Sequence, residues 1–195
     1  MREIFDRQWQ LNIYTLANIG KSFEKTMDDP EEKLVWIENY RKALSAELAE
    51  LIREVEDFGI GTDNGKIEIV DMLHFLVSLS QIVGVGPEDA PDFAAPANGT
   101  SFESAAIRAF LAVDELQNSL KWKWWAKGGG FKPERARSAV LAFWDALAGI
   151  CGIFALGFPE LKQIYIAKNK VNFERQRRNY NEDTKTEADN LSIKI

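Results

Sequence analysis

Four carboxylates stand out by their spacing: Glu47-x-x-Glu50 and, after a glycine-containing turn between Gly59 and Gly65, Glu68-x-x-Asp71. Residues three apart on an α-helix share a face, with Cβ atoms about 5–6 Å apart. Each pair therefore projects two acids in one direction, and all four converge if the helices pack antiparallel across the turn. Their neighbours are apolar: Leu48, Leu51, Ile67, Ile69, Val70, Leu73 and Phe75. Carboxylates in such surroundings repel one another and lose hydration unless a cation compensates. An all-oxygen donor set favours a hard divalent ion, magnesium or manganese. The rival reading is two solvated helix faces; it explains either pair alone, less readily both flanking one short turn. A ferritin-like di-iron centre needs two Glu-x-x-His elements, and the chain has a single histidine, His74.

Other residues carry complementary chemistry. Tyr165, Lys168, Asn172 and Arg175 fall at i, i+3, i+7 and i+10, one stripe of a helix, with Asn169 and Gln176 beside it. A lysine, a guanidinium fork and amides on one face can hold phosphate oxygens. A solvated basic helix end, favoured by the macrodipole, accounts for the spacing equally well. Gln8 and Asn12 lie one turn apart, and amides can read a base edge as both donor and acceptor, although solvent-facing amides are the commoner case. His74 fits a hydrogen-bonded core residue as well as a member of a substrate pocket. Trp122, Trp124 and Trp125 alternate with lysines and cannot share one helix face. Part of that cluster is expected in the core, and part against a neighbouring subunit or a ligand.

Helices must position all of these, because no stretch alternates as a strand would. Apolar periodicity and punctuation by Pro30, Ser101, Pro133 and Pro159 predict helices over 2–27, 31–58, 66–83, 101–126, 133–156 and 160–178. The expected fold is an all-α helical bundle, one domain over 1–180 built around two helical hairpins, with a polar and mobile tail over 181–195. The second hairpin faintly echoes the first. Glu115-Leu116 and Asp145 match Glu50-Leu51 and Asp71, while Ala112 and Ala142 stand where the first has Glu47 and Glu68. One hairpin is thus expected to be chemical and the other structural. Within the second, residues 139–158 are apolar and long enough to span a bilayer. Asp145, together with Gly149, Gly152 and Gly157, favours a buried helix of a soluble bundle instead.

A net charge of −6 argues against a general nucleic-acid binder, whose affinity rests on phosphate neutralisation. An anionic ligand would need metal ions or a local basic patch. The lone Cys151 and a start that carries acids and lacks an apolar h-region fit a cytoplasmic protein.

The chain resembles the dimeric dUTPases of the all-α nucleoside triphosphate pyrophosphatase (MazG-like) superfamily. The superfamily pattern is Glu-x-x-Glu followed by Glu-x-x-Asp. The more specific likeness rests on Gln8-x-x-Leu11-Asn12, on Glu68-Ile69-Val70-Asp71-Met72-Leu73-His74-Phe75 running to Leu79, and on Lys168-Asn169-x-x-Asn172-x-x-Arg175-Gln176-x-x-x-Tyr180. The resemblance implies hydrolysis of dUTP to dUMP and pyrophosphate by a homodimer. It implies magnesium (or manganese) on Glu47, Glu50, Glu68 and Asp71, with Glu47 or Glu50 orienting or deprotonating the attacking water. It implies Lys168, Asn172, Arg175 and Tyr180 on the phosphates, and Gln8, Asn12 and His74 around the deoxyuridine. Two places depart from the family pattern. The Trp-Lys-x-Trp-like segment that usually follows the first acid pair is Arg53-Glu54-Val55-Glu56-Asp57-Phe58 here, and the family's Gly-Tyr is Asn179-Tyr180. The first departure leaves a pyrophosphatase for dCTP or a wider set of nucleotides as the alternative. A non-catalytic helical interaction protein is the third reading.

Overall fold

The computed structural model describes residues 1–93 and 100–178, and among them all regular structure is helical. Seven helices follow in order: α1 (Arg2–Asn18), α2 (Phe23–Asp28), α3 (Pro30–Phe58), α4 (Asp63–Val83), α5 (Phe102–Ser119), α6 (Pro133–Ile153) and α7 (Phe158–Arg177). The expected all-α bundle is what forms. Tyr180 and the tail lie outside the described residues.

Local chemistry sets the ends of the first hairpin. Asp29 caps α3, its Oδ1 accepting from the backbone N–H of Glu31 and Glu32 at 2.9 and 3.1 Å. Gly59 stops it with φ +86°, a conformation that strains any residue with a Cβ. The Thr62 side chain then caps α4 by accepting from Gly65 N–H at 3.0 Å. Glu54 clasps the turn, accepting from Thr62 Oγ1 at 2.7 Å and Asn64 Nδ2 at 2.9 Å. Gly65 is needed for closeness: a Cβ there would meet the Phe154 ring at 2.7 Å.

The hairpins α3–α4 and α5–α6 pack side by side, α3 on α5 and α4 on α6, while α1 and α7 pair with each other and both lean on α4. Helix α4 is thereby enclosed, with 14 of its 21 residues buried. Its hydroxyls cannot reach solvent, so Ser78 and Ser80 donate back to the carbonyls of His74 and Leu76. Trp144 of α6 reaches in to donate to Ser80 Oγ at 2.9 Å.

The second hairpin keeps packing and lacks an acid cluster. Ala112 is buried, Asp145 faces solvent, and Glu115 is paired with Arg135 at 2.6 Å. Helix α6 is long and apolar enough to cross a membrane, and half of that stretch is buried inside the bundle.

Two expectations about element ends fail, and one about the tryptophans fails with them. The first helix does not run to residue 27: it stops at Asn18, Gly20 turns the chain at φ +73°, and Ser22 caps a separate α2. Helix α5 stops at Ser119 instead of 126, because Lys132 N–H bonds Ser119 C=O at 2.9 Å and brings the chain back for α6. Residues 120–132 are therefore irregular, and the tryptophans they carry stay outside the core. Trp122, Trp124 and Trp125 are 39%, 83% and 63% exposed and pack edge-on against one another.

Candidate active site

Helices α1, α3, α4 and α7 enclose a cleft of about 770 Å³. Of the eleven residues expected to meet metal, phosphate or nucleoside, ten line it: Gln8, Asn12, Glu47, Glu50, Glu68, Asp71, His74, Lys168, Asn172 and Arg175. The eleventh, Tyr180, lies outside the described residues.

The acids come together as the hairpin spacing requires, though not as a symmetrical four. Carboxylate oxygens of Glu47, Glu50 and Glu68 lie within 4.8 Å of one another, with Glu50 exposed and Glu68 buried. Burial pushes the Glu68 carboxyl up to about 7, helped by the charges of Asp71 and Glu50 and opposed by Lys168 and a hydrogen bond with Glu47. A carboxyl with so high a pKa is paired with too little positive charge. The donor set, three carboxylates at ligand spacing, fits a hard divalent cation. Asp71 instead accepts from Lys168 Nζ at 2.6 Å, a pair almost wholly withdrawn from water, with side-chain exposures of 16% and 3%. Removing either partner would leave the other charge buried without this contact, which is costly. Asn172 and Arg175 continue the α7 stripe along the cleft, both half-buried.

The amides and the histidine form one buried network. Gln8 Nε2 donates to Asn12 Oδ1 at 2.9 Å and to Ser78 Oγ at 3.0 Å. Its Oε1 accepts from Tyr165 OH at 2.7 Å and lies 2.7 Å from His74 Nδ1. A carbonyl oxygen only accepts, so Nδ1 carries the histidine proton and Nε2 keeps the lone pair. Nε2 is buried and has no hydrogen-bond partner among the described residues. Burial, reinforced by the Lys168 charge, lowers the His74 pKa to about 3, so the ring is neutral across physiological pH. It stacks on Tyr165 at 4.2 Å. Asn12 Nδ2 donates to Ser78 Oγ and Gln81 Oε1, both at 3.1 Å.

A family model described as dUTPase matches residues 1–180. The chain belongs to the all-α dUTPase family. It is therefore a nucleoside triphosphate pyrophosphohydrolase, a dUTP diphosphatase. No curated protein and no solved structure matches it.

Several lining residues of this dUTPase escaped the sequence reading. Trp36 and Tyr40 line the cleft from α3. They sit eleven and seven residues before Glu47, on the same helical stripe, and that spacing was the available signal. Arg53, Glu54 and Asp57 also line it, so the segment that departs from the family's tryptophan pattern still borders the dUTPase cleft.

Proposed function

We propose that this dUTP diphosphatase works with magnesium held by Glu47, Glu50 and Glu68, with Asp71 completing the set of acids. The observation that carries the reading is the convergence of three carboxylates in the cleft that also holds Lys168, Asn172 and Arg175. A bound divalent cation would neutralise phosphate charge and lower the pKa of water. The protein's own residues do the rest. Glu47 or Glu50 accepts the proton of the attacking water, a task open to the less buried acids. Asn172 and Arg175 take phosphate oxygens, the guanidinium as a fork. Lys168 fixes Asp71 and places positive charge beside the polyphosphate. Gln8 and Asn12 act mainly as a scaffold: Gln8 sets the proton position on His74, and Asn12 Oδ1 takes a 3.4 Å contact from Tyr40 OH. His74 offers its Nε2 lone pair to the deoxyribose or the base. Tyr180 is assigned to the phosphates, and the assembly to a homodimer, on the family likeness; the lone Cys151 supports a reducing, cytoplasmic setting.

Pyrophosphate release from a panel of deoxynucleoside and nucleoside triphosphates, with magnesium, manganese or EDTA, tests this. We expect turnover of dUTP with either metal and none with EDTA. Undiminished turnover in EDTA would sink the metal reading, and equal rates on dUTP and dCTP would sink selectivity for the uracil base.

A further inference from the structure

The polar atoms at the amide side of the cleft are spent inside the protein. Both N–H groups of Gln8 go to Asn12 and Ser78, and both of Asn12 go to Ser78 and Gln81. Neither amide has a donor left for a ligand unless the network breaks. The indole of Trp36 differs from these amides. Trp36 lines the same cleft, and its indole Nε1 is buried with no acceptor among the described residues. Indole nitrogen can only donate, and native structures seldom leave a buried donor unpaired without a reason.

The surroundings of Trp36 say what would pair it. Its ring lies 5.6 Å from Tyr40, whose ring lies 6.2 Å from Phe75, and all three line the cleft. In a site for a nucleotide, aromatic rings in the wall are surfaces on which a base can stack.

We propose that Trp36 selects the base, donating its in-plane Nε1–H to the oxygen at the 4-position, while the neighbouring rings of Tyr40 and Phe75 supply the stacking surface. Uracil presents an acceptor there, whereas cytosine presents an amino group, which would set donor against donor. Discrimination of this kind is large because the mismatched base leaves a buried polar group unpaired. The inference rests on the cleft being the nucleotide site and deepens that reading.

The test compares dUTP, dCTP and 4-thio-dUTP, which keeps the ring N–H and replaces the oxygen with a poor acceptor. Wild type is expected to prefer dUTP over both by about tenfold or more in kcat/KM, the loss of one hydrogen bond. Trp36→Phe keeps an aromatic ring in the cleft wall without the donor, and its preference should fall below about threefold, mainly through slower dUTP turnover. A variant that keeps the full wild-type preference overturns the proposal. So does a wild type that treats dUTP and 4-thio-dUTP alike, an arm that needs no mutant to fold. Binding is read separately as tryptophan quenching by dUMP, with Trp36→Phe expected to lose the quench and a retained quench counting against the contact. Absent turnover of every nucleotide would therefore sink the diphosphatase mechanism while the Trp36 contact was still decided.

Discussion

Because burial and the charges of Asp71 and Glu50 hold the Glu68 carboxyl up at about 7, the metal-free protein keeps a proton there that an arriving cation must displace. Metal ligands bind deprotonated, so binding releases that proton. With a pKa of about 7 the carboxyl is roughly nine-tenths protonated at pH 6, about half at pH 7 and only about 3% at pH 8.5. Release should follow those fractions, and affinity should be about tenfold weaker at pH 6 than at pH 8. Isothermal titration of manganese into the protein, in two buffers of different ionisation enthalpy, counts the protons directly. Glu68→Gln should release close to none at any of these pH values. Fewer than about 0.2 protons released by wild type at pH 6, or an affinity flat from pH 6 to 8, would refute the claim that Glu68 is the strained member of a cation site.

Four further outcomes are expected. Glu47→Gln should lower kcat by about a hundredfold or more with little change in melting temperature, since proton transfer by a positioned group is worth that much. Asp71→Asn should also lose activity but destabilise by about 3–5 kcal/mol, because it strips Lys168 of a buried partner; equal melting temperatures for the two variants would show that the pair is not structural. Gly65→Ala should cost about 1–3 kcal/mol in denaturant unfolding, as its Cβ would lie 2.7 Å from the Phe154 ring, and an unchanged midpoint would contradict that contact. His74, the sole histidine, should show imidazole resonances that stay constant from pH 8 to about 4.5. The unfolded chain takes up this proton near 6.5 and the folded one only near 3, so stability should decline as pH falls from about 6.5 towards 3. A resonance midpoint near 6 would refute burial of the ring.

The sequence made the hairpins legible because two independent signals agreed. Acids three apart flanked a turn, and apolar residues filled the remaining faces of α3 and α4. Convergence of Lys168 on Asp71 was not legible, since 97 residues separate them and only the docking of α7 on α4 joins them. The resemblance supplied that link as a phosphate contact, whereas the structure shows a buried ion pair. The end of α5 was missed for a tertiary reason. Lys121 to Lys127 have acceptable helix propensity, but the return of the chain for α6 stops the helix at Ser119, and propensity is a weak prior against such packing. The break after Asn18 was visible in principle, through Gly20 and the cap at Ser22, and was overridden by an apolar periodicity that continued through Phe23.

The enclosure of α4 has a consequence for the order in which the protein is made. Helix α4 carries half of the acids, yet the helices that cover it include α7, the last described element to leave the ribosome. Until Lys168 has emerged, Asp71 lacks the ammonium that pairs with it, and the α4 surface meant for α7 is bare. Contacts between distant parts of the chain close late and slowly. A nascent chain cut short before Phe158 therefore holds both acid pairs and no finished cleft, so the dUTPase stays inert during synthesis until α7 is free.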